Sequence, residues 1–516
     1  MLGPAKRRTL HRPVLISLEQ CVPPDHFYRQ LDVALDLSFV RDWVADCYAD
    51  RGRPSIDPVV FFRFHLIMFF EGIRSERKLV ELASLNLAHR WYLGYHLDEP
   101  LPERSSLVKI RQRLGLKVFR RFFEHIVDLC DNAGLIWGKE VLADATRVPG
   151  NAAMDSLVPR LKAVIDDHLV ELFDDGTGPG KSSDDVAHAG EVPPETTGPE
   201  PRPLHPPAAG PPPAPATGRW DLLETCRLDP HRPPSGPYQR ISDRKVSRTD
   251  SDACAMLMRD GRSVLGYQTH YLVDGGRARV ILHALVTPGD VTETNVVVDQ
   301  LHRVVFRRKI RPQRLIADAK YASAANIRTL DDEGIRAYVP LPEWDKSSEL
   351  FGRAAFSYDA ERNVYVCPQG EVLHLRWTDE PHEQWVYRAR ASACNACPVK
   401  AQCTTSAQGR LLRRSFHAES LERVQGHQGT PAFKKAMRKR SIWMEGLFAE
   451  AKQWHGLARF RLRRLANVNI QALLVAAGQN LKRWLRGTGW GRRGFPGAAY
   501  AAQMAPASCS LVCHSR

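Results

Sequence analysis

The sequence predicts an α/β protein: a mixed sheet flanked by helices, a helical domain before it, and a β-rich, cysteine-containing insertion within it. Three observations carry this reading. The first part of the chain keeps the apolar spacing of helices. From Gly266 onward, strand-like and helix-like runs alternate, as in a sheet covered by helices. Residues 343–430 then break that alternation with turns, short strands and a group of cysteines.

The helical domain is expected at 14–135. Phe27 to Tyr48 and Pro58 to Phe70 have helical apolar spacing, and Ile56-Asp57-Pro58 reads as a helix start. FFRFHLIMFF at 61–70 is interrupted by Arg63 and His65 and is too short to span a bilayer. In ERSSLVKIRQRLGLKVFRRFFEHIVDLC, Ser105 or Ser106 can cap a helix that carries Lys109, Arg111 and Arg113. Short helices, tight turns and cations on one of them suit a helix-turn-helix-like DNA-binding unit.

The sheet-bearing core is expected in two pieces, 136–175 and 219–342. Val141-Leu142-Ala143 is a short strand-like run ending at Asp144. GYQTHYLVD and ARVILHALVTPGD read as two strands joined through Gly275-Gly276 into a hairpin. A helix at 291–306 follows. RPQRLIADAKYAS then gives another strand ending in an acid, Asp318; a helix at 323–333 and the strand IRAYVPLP complete the unit. Adjacent strands ending at Asp144 and Asp318 could bring both carboxylates together.

Residues 176–218, between the two pieces, hold twelve of the chain's 36 prolines, and their only large aliphatics are Val186, Val192 and Leu204. Such a segment buries too little to offset its ordering entropy, so a disordered or extended linker is expected. The insertion at 343–430 contains Cys367, Cys394, Cys397 and Cys403. One CxxC with two outlying cysteines is a candidate tetrahedral thiolate site for a structural Zn²⁺; a set of reduced, buried thiols is the plainer alternative.

The last block, 431–485, is helical and cationic, and 486–516 reads as a flexible tail. Glu445 and Lys452 are seven apart and so share a helix face after two turns. HGLARFRLRRL then supplies Arg459, Arg461, Arg463 and Arg464. From Arg410 to Arg464 there are fourteen Lys/Arg against four Asp/Glu, a net +10 and two thirds of the whole chain's +15. Clustered charge of this size favours nucleic acid as partner over a merely solvated surface.

A chain of 516 residues needs more than one core. MLGPAKRRTLHRP lacks the apolar run of a signal peptide, and eleven unevenly spaced cysteines do not resemble a secreted disulfide framework. A soluble intracellular protein is expected.

Asp144, Asp318 and Glu445 stand out as three acids, two ending predicted strands and one on a helix beside the basic run. Carboxylates are suitable hard ligands for Mg²⁺, which promotes phosphodiester chemistry by activating the attacking oxygen and stabilising the leaving one. Spacing alone does not select these three from 58 acidic residues.

Here the sequence resembles bacterial insertion-sequence transposases of the DDE type, in the IS-four/IS-five-like assemblage and nearest its IS-eleven-eighty-two branch. GRPSIDPVVFFRFHLIMFFEGIRSERKLVELASLNLAHRWYLGY resembles the family's N-terminal helical domain. VLADATRVPGNA, LIADAKYAS and MEGLFAEAKQWHGLARFRLRRLANVNIQALLVAAGQNLKR resemble the segments with the first catalytic Asp, the second and the catalytic Glu. The resemblance thus gives those roles to Asp144, Asp318 and Glu445. It implies an RNase H-like core, two Mg²⁺ ions, binding to terminal inverted repeats and target DNA, and hydrolysis followed by strand transfer. It also implies a homodimer on synapsis and a cytoplasmic, nucleoid-associated location. Lys452 and the arginines at 459, 461, 463 and 464 are expected to grip backbone phosphates. Of the wider family's tyrosine–arginine–glutamate–lysine signature, only Glu445 and Lys452 match. Arg438 and Ser441 occupy the other two positions, with Arg440 one residue off as a candidate substitute. Two readings compete: a repurposed DNA-binding protein without catalysis, and an RNase H-like nuclease that cuts without joining.

Overall fold

The structure, a computed structural model, describes residues 15–48, 55–163, 165, 169, 244–341 and 350–489. The linker expected at 176–218 and the tail beyond 489 lie outside the described residues.

The chain begins with helices α1 (Leu18–Cys21), α2 (Phe27–Ala34), α3 (Phe39–Val44), α4 (Pro58–Phe70), α5 (Glu76–Leu85), α6 (Leu87–Leu93) and α7 (Arg104–Asn132). Asp57 starts α4 by accepting the Val59 N–H at 2.9 Å, and Pro58 occupies the first turn, where its missing N–H costs nothing. The aromatic run of α4 is core: Phe61, Phe62, Phe64 and Ile67 are fully buried, while Arg63 leaves the apolar face to pair with Asp32 at 2.5 Å. Among the described residues no helix is long and apolar enough to cross a membrane. Gly115 interrupts α7 at φ +62°, a conformation that favours glycine, so α7 is two helices meeting at a kink.

Strand β1 (Glu140–Pro149) opens the sheet; β2 (Leu157–Pro159) and β3 (Lys245–Ser247) form a small separate pair. The sheet continues through β4 (Cys254–Leu257), β5 (Ser263–Asp274) and β6 (Ile281–Pro288). After helix α8 (Val297–Arg308) come β7 (Arg314–Ile316), helix α9 (Ala324–Asp332) and β8 (Arg336–Tyr338). The long β5 pairs antiparallel with β1, β4 and β6. On its other edge β1 pairs parallel with β7, and β7 with β8. Parallel neighbours need a crossover, and α9 supplies the one between β7 and β8.

A second sheet of five antiparallel strands follows: β9 (Ser357–Asp359), β10 (Val364–Val366), β11 (Val372–Asp379), β12 (Gln384–Arg388) and β13 (Leu411–Ser415), each paired with the next. Short helices α10 (Ala391–Asn395) and α11 (Lys400–Cys403) join its last two strands. This sheet has its own small core, including Phe356, Tyr365, Leu373, Tyr387 and Leu412.

Three helices close the chain: α12 (Ala418–Gln428), α13 (Pro431–Trp454) and α14 (Leu465–Gly487). One hydrophobic cluster runs without a break from the N-terminal helices through the first sheet into α13 and α14. Helix α14 lies between α7 and β6. Its Asn480 accepts the Ile281 N–H and donates to the Ile281 carbonyl, both at 2.8 Å. Asn469 does the same for Val286, at 2.7 and 2.9 Å. Eleven residues of helix rise about 16 Å and five of strand about the same, which is why both amides stay in register with one strand. Gly478 permits the packing against α4: a Cβ there would stand 2.3 Å from the Phe69 ring.

Candidate active site

Asp144 does not end its strand, as its three-residue apolar run suggested. Strand β1 continues to Pro149 because β5 pairs with it as far as Gly266. What ends near Asp144 is the neighbour on the other side, since the β1–β7 pairing stops at Leu142 opposite Ile316. Asp144 and Asp318 each lie two residues beyond that last pair, so they occupy equivalent positions on parallel neighbours. Asp318 caps the 3-10 turn Ala319–Tyr321, its Oδ1 accepting the Lys320 N–H at 3.0 Å.

The proximity is visible in the electrostatics. Burial pushes the Asp144 carboxyl above its ordinary range. The Arg440 guanidinium opposes that shift, and the Asp318 charge adds to it. Arg440 Nη1 donates to Asp144 Oδ2 at 2.7 Å, with both side chains mostly buried, and among the described residues Arg440 Nε has no hydrogen-bond partner.

Helix α13 holds Arg440 there by running alongside β1 in the same direction. Lys439 donates to Glu140 and to the Gly275 carbonyl at one end, and Lys452 donates to Thr146 Oγ1 at 2.7 Å at the other. Thirteen residues of helix and six of strand each span about 20 Å, so the two elements keep step. By the same measure Glu445 is level with the stretch of β1 around Asp144, on the helix face that Lys452 turns toward the strand. Its carboxylate is exposed and accepts from Ser441 Oγ at 2.9 Å, one turn back on its own helix. The structure therefore brings Asp144 and Asp318 together and sets Glu445 alongside without contact. Among the described residues, no three His, Cys, Asp or Glu side chains stand close enough to hold a metal ion. Arg440 and Ser441 engage two of the expected ligands instead. The donor chemistry nonetheless fits Mg²⁺, because Asp144 and Asp318 are hard oxygen donors at the strand-end edge of the sheet and Glu445 is a third on the helix alongside.

That edge holds a fourth acid that the spacing of motifs does not reveal. Glu293, in the turn Glu293–Asn295 after β6, is 7% exposed, pairs with Lys320 at 2.9 Å, and has a buried Oε2 with no partner. Burial raises its carboxyl, Lys320 opposes this, and Asp318 and Asp144 add to the rise. The only signal in the sequence is an acid shortly after a strand, in GDVTETN.

The remaining acid of α13, Glu450, pairs with Lys482 and Arg483 and accepts from Gln479; burial raises its carboxyl, but His455, Arg483 and Lys482 outweigh that and hold it far below the ordinary range.

The basic run is less free than its composition suggests. Arg461, expected at a phosphate, pairs with the buried Glu76 of α5, as does Arg111 of α7, one of the cations expected on a DNA-facing helix. Arg461 thereby ties the helical domain to the chain after α13, while Arg111 joins α7 to α5 within that domain. Arg459 donates to the Gly150 carbonyl at 3.1 Å, and Arg463, exposed, to the Asn151 carbonyl at 3.0 Å. Arg464 sits at φ +73°, where Asp250 takes its N–H at 2.9 Å and Ser251 its guanidinium.

Cys367, Cys394, Cys397 and Cys403 line one cavity of about 300 Å³ at the end of the second sheet. Among the described residues no three of these thiols lie within reach of a shared ion. Three of them pack against the small core beside Phe351, Tyr358 and Trp385, and Cys394 Sγ accepts the Arg410 N–H at 3.4 Å. Burial pushes the Cys403 thiol up, which disfavours a thiolate.

Two family models match the chain. Residues 16–113 match a transposase domain (DUF772), and residues 366–485 match a transposase DDE domain. The second match contains Glu445 and the four cysteines; Asp144 and Asp318 fall in neither. No curated protein matches the chain. The two matches support a transposase of the DDE class, a kind of enzyme that cuts DNA and generally uses a divalent metal, usually Mg²⁺.

Proposed function

We propose that the chain is an insertion-sequence transposase that binds the terminal inverted repeats of its element, cleaves DNA there and joins the freed end to target DNA. Its relatives are sought in the IS-four/IS-five-like assemblage, nearest the IS-eleven-eighty-two branch. The observation that carries the reading is the equivalent placement of Asp144 and Asp318, each two residues past the last pair of parallel neighbours, beneath a helix bearing Glu445 at the same level. The sheet supports an RNase H-like core, with β6, β5 and β1 antiparallel and β7 and β8 parallel to β1.

In this reading Asp144, Asp318 and Glu445 hold Mg²⁺, which supplies charge stabilisation at the scissile phosphate and a reactive oxygen nucleophile. Glu445 reaches the edge by exchanging its bond to Ser441 for one toward the two aspartates. Arg440, freed from Asp144, is within reach of a DNA phosphate at the same edge. Lys452, Arg459, Arg463 and Arg464 line the flank of β1 and position the DNA backbone. Arg461 acts through Glu76 to hold that flank in place. A homodimer pairs two element ends.

The test is excision and reinsertion of a marked copy in cells, comparing the unaltered protein with Asp318→Asn at equal protein level. Loss of both steps in the variant, with binding to the element ends retained, is the expected result. Normal transposition by Asp318→Asn would sink the assignment. Cut ends without joined products from the unaltered protein would favour a nuclease. End binding with neither step would favour a DNA-binding protein without catalysis.

A further inference from the structure

We propose that Glu293 is a further metal-binding carboxylate of this site, held in reserve by Lys320 until a divalent cation enters. The proposal rests on the transposase reading above and extends it to a residue outside the three expected acids.

Three independent observations lead here. The first is the orphaned atom: Glu293 Oε2 is buried without a hydrogen-bond partner among the described residues, on a side chain 7% exposed. A carboxylate oxygen left bare in the interior is costly, and a site that takes a cation relieves that cost. The second is placement. Thr294 Oγ1 donates to the Lys320 carbonyl at 2.6 Å, and Asn326 Nδ2 donates to the Thr294 carbonyl at 2.8 Å and the Tyr321 carbonyl at 3.2 Å. These bonds fasten the turn bearing Glu293 to the turn that Asp318 caps. The third is the cations. Asp144 faces Arg440, and Glu293 faces Lys320, whose side chain is 60% exposed. Two positive side chains thus stand among three carboxylates. A lysine ammonium on a flexible stem can leave for solvent or a phosphate when a divalent ion takes its place.

An ion pair that serves only structure would look different. Glu450 has a partner for each carboxylate oxygen, all from α14. Glu293 has one partner on one oxygen, and that partner is mostly in water.

The experiment is Mn²⁺ binding to the full chain without DNA, read from the free Mn²⁺ signal in electron paramagnetic resonance. Glu293→Gln, Asp318→Asn and Lys320→Gln are compared with the unaltered protein, and thermal unfolding confirms that each is folded. Glu293→Gln is expected to weaken Mn²⁺ binding about tenfold or more, the scale on which tuning residues of metal sites act. Lys320→Gln is expected to strengthen it severalfold, a gain that misfolding cannot mimic. Binding lost in Asp318→Asn but unchanged in both Glu293→Gln and Lys320→Gln would overturn this proposal and leave the transposase reading standing. No Mn²⁺ binding by the unaltered protein would overturn both.

Discussion

Two sets of acids differ in how completely the protein answers them. Glu76 joins the helical domain to the chain after α13, Glu450 joins α13 to α14, and each is gripped by two or more cationic groups. Among the described residues Asp318 and Glu445 accept only local bonds, from the Lys320 N–H and the Ser441 hydroxyl. The first set has nothing left to offer a ligand. The second keeps open oxygens, Asp318 just past the end of β7 and Glu445 on the helix alongside. Charge alone does not distinguish a binding carboxylate from a structural one; the number of oxygen positions left unfilled does.

Substitutions can break or sharpen that contrast. The largest stability loss is expected for Glu76→Gln, which leaves Arg111 and Arg461 in a poorly solvated junction without a counter-charge. Removing one partner of a buried pair costs about 3–5 kcal/mol, measurable by denaturant unfolding. The same residue predicts an acid limb. Its carboxyl is held down to about 2 in the folded protein against an ordinary 4.5, with burial opposed by Arg461 and Arg111. A depressed acid stabilises above its unfolded value, so its contribution is full above about 4.5 and fades as pH falls toward 2. Glu76→Gln should flatten that limb, and an unchanged pH profile would contradict the assignment.

Glu450→Gln comes next, at about 1–3 kcal/mol, because Lys482 and Arg483 retain some access to water. Glu445→Gln should change stability by less than about 0.5 kcal/mol, as surface substitutions do, while abolishing excision. A large stability loss there would erase the distinction between the two sets. The smallest effect belongs to Arg463→Ala: uniformly weaker DNA binding, with the salt dependence of affinity reduced by about one phosphate contact. A change confined to one DNA sequence would mean that Arg463 reads bases.

The sequence made the hairpin legible, because β5 and β6 carry strand patterns on either side of Gly275-Gly276. It also made legible the strand before Asp318 and the helix after it. The extent of β1 was hidden: its apolar run stops at Asp144, and the remainder is strand only because β5 pairs with it. The roles of Arg111 and Arg461 were hidden for a different reason. A cation looks the same in sequence whether it faces solvent or Glu76, which lies 35 residues before Arg111 and 385 before Arg461. Glu293 escaped because burial, not residue type or spacing, sets it apart. The cysteines converge on one cavity, as their grouping suggested.

The paired amides of α14 have a consequence for how the protein is made. Asn469 and Asn480 answer backbone groups on the outer side of β6 that would otherwise be open to another strand. Both come from the last described helix, so a nascent chain that has already produced the sheet still displays that edge while its final stretch is in the ribosome. A stop codon before Leu465 would leave the edge permanently bare. Shortened products are therefore expected to clump rather than persist as free fragments, and a frameshift late in the gene would silence the whole protein, not just its final segment.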